Sequence, residues 1–415
     1  MRRMSLKVLI APDKFKGTLR ADEAAAAIAR GWARARPHDR LQTLPISDGG
    51  EGFGELLARA LGAKPQQVGT VDAAGRPLKA TWWWVAARRI AIIESARVVG
   101  LSLLPRGKFH PHDLDTRGLA AMLKAAAKMG ARECLVGIGG SATNDGGFGL
   151  ARALGWQFRD AAGHPIEAWT GLHRLAHVKR PAKQRRPRLI VAVDVQNVLL
   201  GRGGCSRVYG PQKGLRAQDM AHAEACLRAL ARVLTPGRGK GAAGEAGAGA
   251  AGGLGFGLRV FCGGTLRPGF ALFARAIRLH RAVRHCEVVV TGEGAMDAQT
   301  VMGKGVGELA KLAAASSRRC LALAGRIEDA PRLGRYFARR RALTELGPAS
   351  QAEAHAGEWL EALARSLACE LEREDGCKSV TSTPATSTPR AATPRRQKRR
   401  CESARPRAST PATGS

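Results

Sequence analysis

Short apolar runs alternate along the chain with longer segments whose apolar residues recur at helical spacing. The runs that predict strands are residues 7–12, 90–95, 134–139, 189–195, 287–291 and 320–324. The segments that predict helices are residues 21–36, 118–129, 221–234, 305–315 and 352–370. Continuous hydrophobic strands that alternate with helices are typical of parallel sheets, whose two faces are both covered. The pattern therefore predicts an α/β fold with largely parallel sheets.

Two further segments depart from this alternation. Residues 68–71 and 78–84 flank a Gly-Arg-Pro turn at 75–77, and this arrangement predicts a β-hairpin. We expect the three tryptophans at 82–84 to pack on both faces of that small sheet. Residues 374–415 consist largely of Ser, Thr, Pro and Arg without apolar periodicity, which predicts a disordered basic tail.

The charge of the chain favours anionic partners. Its formal net charge is +33, and many of its arginines lie on predicted helices where solvated faces are expected. The basic clusters at 179–188 and 395–400 contain no aromatic residues that could stack on bases, so nucleic acid is not the expected partner. No apolar run approaches the roughly 18 residues of a membrane span. A soluble cytoplasmic protein with an anionic substrate is expected.

Cysteine spacing gives no sign of a metal site. The nine cysteines form no Cys-x-x-Cys pair and show no recurrent spacing. Such a dispersed, odd-numbered set predicts reduced thiols rather than disulfides or a zinc site. The ten histidines are dispersed along the chain, and His110-Pro111-His112 is interpreted as an ordinary loop.

The most informative segment is the glycine-rich loop at residues 137–147, which reads Gly-Ile-Gly-Gly-Ser-Ala-Thr-Asn-Asp-Gly-Gly. It follows a predicted strand and precedes an amphipathic segment at 148–154. A strand, a glycine-rich loop and a helix start together present backbone N–H groups to an anion. A tight turn would explain the glycines, but not the hydroxyl, amide and carboxylate side chains between them. We therefore predict a binding site in this loop.

Four other loops combine acids with glycines or amides near the ends of predicted strands. They are Asp13-Lys14-Phe15-Lys16-Gly17, Ser47-Asp48-Gly49-Gly50-Glu51-Gly52, Asp194-Val195-Gln196-Asn197, and Thr291-Gly292-Glu293-Gly294 with Asp297. Ligands of open α/β sheets bind beyond the carboxyl ends of the strands, so these loops are expected to share one site. Carboxylates beside flexible glycines suit Mg²⁺, and the lysines at 14, 16, 213 and 304 suit phosphate. One such loop alone is more often a turn, whereas the set indicates phosphate chemistry.

Familiar nucleotide-binding motifs are missing. The sequence contains no Gly-x-x-x-x-Gly-Lys-[Ser/Thr] P-loop and no His-Arg-Asp or Asp-Phe-Gly motif of protein kinases. Residues 247–252 match Gly-x-Gly-x-x-Gly, but a glycine-rich linker precedes them instead of a strand. A dinucleotide fold is therefore not predicted, although residues 247–255 remain a candidate loop of backbone donors for phosphate.

Seven segments, taken in order, resemble the bacterial-type glycerate kinases, and the resemblance covers residues 7 to about 367. The segments are APDKFKG at 11–17, SDGGEG at 47–52, the 137–147 loop, VDVQN at 193–197, YGPQKG at 209–214, GAAGGLG at 249–255, and TGEG at 291–294 with Asp297 and Gly303-Lys304. Each segment alone is weakly specific, whereas seven in the family's order are highly specific. The chain departs from the family pattern at Val198, at Ala295 and in residues 116–121.

The resemblance implies an enzyme that uses ATP and Mg²⁺ to phosphorylate D-glycerate, usually at the 2-hydroxyl. It also implies two α/β domains, and we expect residues 5–70 and 290–370 to form one domain around an inserted domain of residues 71–289. Phosphorylation at the 3-hydroxyl is one alternative. A weakly active paralogue that binds a metabolite or a polyanion is the other.

Phosphoryl transfer needs positioning and charge neutralisation more than covalent chemistry, and the candidate residues divide accordingly. Asp194 is the expected base for the substrate hydroxyl, and Lys16 is expected to neutralise either developing negative charge or the substrate carboxylate. The candidates for substrate or nucleotide binding are Asp13, Gly139, Gly140, Ser141, Thr143, Asn144, Asp145, Asn197, Lys213, Gly252, Gly253 and Lys304. The candidates for metal binding are Asp48, Glu51, Glu293 and Asp297. Asn144 and Asp145 stay open between metal, substrate and the turn itself.

Overall fold

Thirteen strands and thirteen α-helices form the part of the chain that the computed structural model describes. That part is residues 5–15, 17–182, 187–235, 241–298, 300, 305–328 and 331–380, with only the backbone described at 331–332 and 374–380. The strands are β1 (Lys7–Ile10), β2 (Arg40–Thr43), β3 (Lys64–Val71), β4 (Pro77–Val85), β5 (Ile90–Glu94), β6 (Glu133–Gly137), β7 (Gln157–Asp160), β8 (Leu175–Lys179), β9 (Arg188–Val193), β10 (Thr265–Pro268), β11 (Val288–Met296), β12 (Arg319–Ile327) and β13 (Arg339–Ala342). The helices are α1 (Ala21–Ala35), α2 (Phe53–Leu61), α3 (Ala96–Val99), α4 (Leu119–Lys128), α5 (Phe148–Ala153), α6 (Cys205–Lys213), α7 (Met220–Leu234), α8 (Ala250–Cys262), α9 (Gly269–Ala276), α10 (Leu279–His285), α11 (Gly305–Ala315), α12 (Ala349–Ala354) and α13 (Ala356–Val380).

One sheet consists of five parallel strands from the two ends of the described chain, in the order β13-β12-β11-β1-β2. Side chains alternate across a strand, so Val8 and Ile10 pack with α1 and α13 on one face. Leu9 points to the opposite face and belongs to a different core. Burial on both faces explains why β1 has no polar alternation in the sequence.

The other large sheet has six strands in the order β10-β9-β6-β5-β4-β3. Its first four strands are parallel, and β4 and β3 add an antiparallel edge. The predicted hairpin is therefore confirmed as β3 and β4. Trp82 and Trp83 lie in different hydrophobic cores, as expected for neighbours that point to opposite faces of a strand.

A shared hydrophobic core joins the two large sheets. Leu9 and Val289 contribute from the five-stranded sheet, and Ile92 and Leu135 contribute from the six-stranded sheet, together with side chains of α2, α9, α10 and α11. Residues up to Leu371 form one compact unit. The α/β class with largely parallel sheets is confirmed. The boundaries of the two proposed domains stay a prediction.

Several short elements were not predicted from the sequence. Three of them, β2, β10 and β13, are edge strands of four residues each. Edge strands are commonly short and polar, so they lack the apolar run that marks a central strand. The helices α2, α9 and α10 were also missed, together with the two-stranded pair β7 and β8.

Strand β11 corrects one prediction about the site. It continues to Met296, so Glu293 lies within the strand rather than in a loop after residue 291. Parallel pairing with β12 persists because Gly292 permits close approach: a Cβ at that position would lie 2.0 Å from the carbonyl oxygen of Leu323.

The last helix corrects a second prediction. The helix α13 continues to Val380, so residues 374–380 are helical where the start of a disordered tail was predicted. The first proline after the start of this helix is Pro384, so no helix breaker of that kind interrupts it. The remainder of the predicted tail, residues 381–415, lies outside the described residues. None of the helices in the described part of the chain combines the length and hydrophobicity that a bilayer crossing requires.

Candidate active site

Four carboxylates from four separate segments lie close enough to repel one another, and we refer to them as the cleft acids. They are Asp13 after β1, Asp48 after β2, Asp194 after β9 and Glu293 within β11. The first and last are brought together by strand pairing, because Asp13 N donates to Gly292 O at 2.8 Å. The predicted loops that carry Asp13, Asp48 and Asp194 thus meet one another beside β11, the strand that carries Glu293.

Two of the cleft acids, Asp13 and Asp194, hold their protons more tightly than ordinary carboxylates. Burial raises the pKa of Asp13 well above its usual value, and the neighbouring charges of Asp48 and Glu293 add to this effect. The walls of the cleft desolvate Asp194 and raise its pKa to about 6, with Asp48 adding to the shift, although solvent still reaches the side chain. Such shifts are typical of sites that bind cations or transfer protons.

Lys14 is the cation closest to this cluster among the described contacts. Its charge opposes the upward pKa shifts of Asp13 and Asp194, and its Nζ donates to Glu51 O at 3.1 Å. A Cβ placed on Gly50 would lie 3.1 Å from Lys14 Nζ and 3.3 Å from Asp48 Oδ1. The ammonium and the carboxylate therefore flank the same glycine.

Two glycines allow the loop after β2 to approach the glycine-rich loop. A Cβ on Gly139 would lie 2.6 Å from Gly50 Cα and 3.0 Å from Asp194 Oδ2. The backbone of Gly139 also donates to Gly49 O at 3.3 Å. Gly140 follows with a φ of 77° and is exposed. Gly139 is thus the part of the loop that faces the cleft acids, whereas a Cβ on Gly140 would lie 3.7 Å from Ala96 Cβ and 4.0 Å from Glu51 Cβ.

A cavity of ≈ 310 Å³ opens beside Asp48 and Asp194. It is also lined by Gln196, Glu245 and Arg267. A larger cavity of ≈ 550 Å³ lies elsewhere and contains none of the cleft acids. Two of its arginines are already paired, Arg117 with Asp115 and Arg152 with Glu167, so the smaller cavity is the candidate active site.

The second half of the glycine-rich loop, residues 141–147, is buried, and we call it the buried loop. The hydroxyls of Ser141 and Thr143 lie 2.9 Å apart and bond to each other. Asn144 Nδ2 donates to Ser206 Oγ at 2.9 Å, and Asn144 Oδ1 has no hydrogen-bond partner among the described residues. Most polar atoms of this segment are therefore used within the chain.

Asp145 organises the start of α5. Its carboxylate accepts hydrogen bonds from the Thr116 hydroxyl at 2.7 Å and from the backbone N–H groups of Thr116, Gly147 and Gly149 at 2.9, 3.1 and 2.9 Å. Burial raises its pKa to about 6, with the charge of Asp115 adding to the shift. The N–H groups that were expected to cradle an anion at this helix start are thus bound by Asp145. The geometry favours the turn among the three roles left open for this residue.

Two glycines of the 247–255 stretch support the buried loop from the other side. A Cβ on Gly252 would lie 1.9 Å from Thr143 O, and one on Gly253 would lie 2.9 Å from Gly146 Cα. Both have positive φ and kink the start of α8. This packing explains why Gly252 and Gly253 must be glycines. Their contact with phosphate remains a prediction from the sequence.

Lys213 connects the buried loop to the cleft acids. Its Nζ is buried and donates to Thr143 O at 2.7 Å, and burial lowers its pKa to about 8. The charges of Asp145 and Asp194 oppose that shift, so the ammonium lies within electrostatic reach of both carboxylates. Lys213 is therefore positioned to hold positive charge between the two regions.

Asn197 is engaged within its own loop. Its Nδ2 donates to Gly203 O at 2.8 Å, and its Oδ1 accepts from the Tyr209 hydroxyl at 2.7 Å. Burial raises the pKa of Tyr209, and Asp194 contributes to the shift. Tyr209 therefore lies near the expected base, which its place in the YGPQKG segment did not reveal.

The remaining predicted residues are Glu51 and Asp297, which are described, and Lys16 and Lys304, which are not. The hydroxyl of Thr300, in the turn with Asp297, donates to Glu293 Oε1 at 2.8 Å. The Glu51 side chain is exposed, and only its backbone oxygen contacts Lys14. Asp297 is part of a turn with Thr300, whose N–H donates to Asp297 Oδ1 at 3.2 Å. Lys16 and Lys304 lie outside the described residues.

Glu94 was not among the predicted site residues, yet it shapes the site. It ends β5, is 2% exposed, and accepts hydrogen bonds from Gly52 N at 2.8 Å and Gly54 N at 3.2 Å. Burial raises its pKa. The two hydrogen bonds that Glu94 accepts hold the loop that carries Asp48 in place. An acid at the end of an apolar run was the available signal, the same signal that marked Asp13 and Asp194.

Comparison with known proteins gives a consistent picture. A family model described as the glycerate kinase family matches residues 8–372. A glycerate kinase from Halalkalibacterium halodurans is 38% identical over 322 residues, which are 77% of this chain and 85% of that protein. A glycerate kinase from Bacillus subtilis is 35% identical over 376 residues, 88% of this chain and 98% of that protein. A glycerate 2-kinase from Escherichia coli is 34% identical over 328 residues, 78% and 86% of the two chains.

The structural comparison agrees with these relatives. A crystal structure from Salmonella typhimurium LT2, provisionally described as glycerate kinase 2, superposes with a TM-score of 0.74 at 32% sequence identity. The match covers 90% of this chain and all of that one.

Proposed function

The chain belongs to the glycerate kinase family and is thus a phosphotransferase, and from that premise we propose that it transfers the terminal phosphoryl group of ATP to the 2-hydroxyl of D-glycerate. The similarity to a glycerate 2-kinase supports the choice of hydroxyl. The single observation that carries the proposal is the convergence of Asp13, Asp48, Asp194 and Glu293 around Lys14.

Asp194 is the proposed base. Its carboxylate borders the ≈ 310 Å³ cavity, and the raised pKa of about 6 makes it a better proton acceptor than an ordinary carboxylate while leaving it ionised at neutral pH. It would accept the proton of the substrate hydroxyl as the oxygen attacks the phosphorus. A three-carbon hydroxy acid is small enough for this cavity, so its volume suits glycerate.

The cleft acids have the chemistry of a magnesium site. Mg²⁺ prefers one or two carboxylates together with substrate phosphates, and Asp13, Asp48 and Glu293 supply clustered oxygens whose mutual repulsion a divalent cation would relieve. These three residues would hold the ion. When bound, Mg²⁺ neutralises the charge of the phosphate oxygens.

Lysines complete the proposed charge balance. Lys14 lies beside Asp48 at the cleft, and Lys213 lies between the buried loop and Asp194. Both are placed to attract the anionic substrates and to stabilise charge as the phosphoryl group moves. Lys16 and Lys304 are proposed for the same purpose from the sequence segments that carry them.

The direct test incubates the purified full chain with ATP, Mg²⁺ and D-glycerate and identifies the product by ³¹P NMR. We expect ADP and 2-phosphoglycerate in equal amounts. Formation of 3-phosphoglycerate would overturn the choice of hydroxyl but not the phosphotransferase. No transfer, with D-glycerate still bound, would favour the metabolite-binding paralogue. Salt-dependent retention on DNA without transfer would favour the polyanion-binding alternative.

A further inference from the structure

Six side chains of types that can ligate a metal lie beside α7, away from the cleft acids. They are His110, His112, His173, Asp219, His222 and Cys226. They come from α7 itself, the 3₁₀ turns Pro111–Asp113 and Trp169–Arg174, and the residues that flank them. None of the six lines the cavity beside Asp194. The cluster therefore serves nothing in the proposed reaction.

Three of these residues have the separation that a metal requires. Ligand atoms of His173, His222 and Cys226 lie within 4.8 Å of one another. His222 and Cys226 are four residues apart on α7 and share one face of the helix, with His222 Nε2 3.7 Å from Cys226 Sγ. In tetrahedral zinc, Zn–N bonds of about 2.0 Å and Zn–S bonds of about 2.3 Å place the two ligand atoms about 3.5 Å apart.

The same three side chains crowd one carbonyl oxygen. Thr170 O lies 3.0 Å from His173 Nδ1, 2.9 Å from His222 Nε2 and 3.2 Å from Cys226 Sγ. A carbonyl oxygen has two lone pairs, so three donors compete for it. A cation among the three side chains would instead use the lone pairs of the two nitrogens and the sulfur.

Polar groups around the three side chains suit a bound cation. The backbone N–H groups of His173 and Leu172 donate to Cys226 Sγ, the sulfur that would carry the negative charge of a thiolate. The enclosed Nε2 of His112 has no hydrogen-bond partner among the described residues, and the His112 ring lies 5.8 Å from that of His222.

We propose that His173, His222 and Cys226 bind a divalent cation of the zinc class, with solvent as the fourth ligand. Two imidazoles and a thiolate select zinc-like metals, whereas Mg²⁺ prefers oxygen ligands. The exposed side chain of His173 gives the cation a route from solvent. The bound metal would clamp the Trp169–Arg174 turn to α7. This site is independent of the proposed kinase function.

The test titrates the reduced full chain with Co²⁺, whose spectrum reports its ligands. We expect one equivalent to produce a thiolate-to-cobalt charge-transfer band and the visible bands of tetrahedral cobalt. Cys226→Ser should abolish the charge-transfer band, and His222→Gln should weaken binding at least about tenfold. Cys369→Ser and His285→Gln, which change the same residue types elsewhere, should leave both signals intact. A band that persists in Cys226→Ser would place the metal elsewhere and overturn the proposal.

His173→Gln keeps the proposal testable should the buried substitutions unfold the protein, because His173 is exposed. Zn²⁺ should raise the melting temperature of the wild-type chain, since binding to the native state alone is stabilising. In His173→Gln the increase should shrink or vanish at the same Zn²⁺ concentration. An equal increase in both proteins, or none in the wild type, would contradict the site.

Discussion

The cleft acids and the buried loop are neighbours, yet their polar groups are arranged in opposite ways. In the buried loop, Asp145 accepts four hydrogen bonds from the chain, and Ser141 and Thr143 bond to each other. The cleft acids instead face carboxylates of like charge around one lysine. Polar groups that satisfy one another build a scaffold, whereas like charges held together retain the capacity to bind a ligand. We therefore expect the cleft acids to bind ligands and carry out the reaction, and the buried loop to support the structure around them.

The largest effect on turnover is expected from Asp194→Asn. Removal of the base should lower kcat by about 10²–10⁴-fold, because a positioned general base contributes that much. The free energy of unfolding should change little, since the carboxylate is reached by solvent and carries a raised pKa. Steady-state kinetics and urea denaturation of the same preparation measure both. Glu353→Gln, an exposed carboxylate on α12, is the control and should behave as wild type.

Gly139→Ala tests the contact between the two regions. The new Cβ would fall 2.6 Å from Gly50 Cα and 3.0 Å from Asp194 Oδ2, so the loop carrying Asp48 must move. A displacement of about 1 Å can cost about 10²-fold in rate, and we expect a loss of about 10–10²-fold in kcat/KM. Gly69→Ala is the matched control, because a Cβ there meets nothing within 4 Å. Equal activity of the two variants would mean that the close approach is unimportant.

The pH dependence of kcat/KM should report the ionisation of Asp194 within the acid cluster. Asp194 must be ionised to accept a proton, and its pKa is raised to about 6, so activity is lost as the pH falls below about 6. Below that value kcat/KM should fall about tenfold per pH unit, and the residual activity of Asp194→Asn should lack this limb. A wild-type limb near the ordinary aspartate pKa of about 4 would count against a perturbed base.

The smallest effect on turnover is expected from Asp145→Ala. Its four donors would be left buried without their acceptor, so the free energy of unfolding should fall by about 3 kcal/mol or more. The molecules that remain folded should keep kcat within about threefold, because the carboxylate does not face the cleft. Denaturant titration and activity per folded molecule separate the two effects. A folded, stable variant with no turnover would place Asp145 in the chemistry.

The sequence predicted the parallel strands and most of the acids because both leave local signals. Asp13 and Asp194 follow apolar runs that are buried on both faces, and such runs are visible without any structure. Glu94 carries the same signal at the end of β5 and was missed. Its role depends on where the loop after β2 lies, which only the fold decides.

Other features depend on contacts between distant segments. Asp145 sits among glycines and hydroxyls that suggest an anion site, but Thr116 reaches it from 29 residues away and completes its hydrogen bonds. The cluster at α7 was missed for a similar reason, because His173 lies far in sequence from His222 and Cys226. The four-residue spacing of His222 and Cys226 was a local hint. A search for paired cysteines or paired histidines does not detect it.

The most direct test of the account measures turnover and unfolding side by side in Asp194→Asn and Asp145→Ala. With D-glycerate, ATP and Mg²⁺ as substrates, we predict that Asp194→Asn loses at least about 10²-fold in kcat at nearly wild-type stability. Asp145→Ala should lose about 3 kcal/mol of stability while its folded fraction still turns over. The opposite pattern, an active Asp194→Asn and a stable but inactive Asp145→Ala, would contradict the assignment of chemistry to the cleft acids and support to the buried loop.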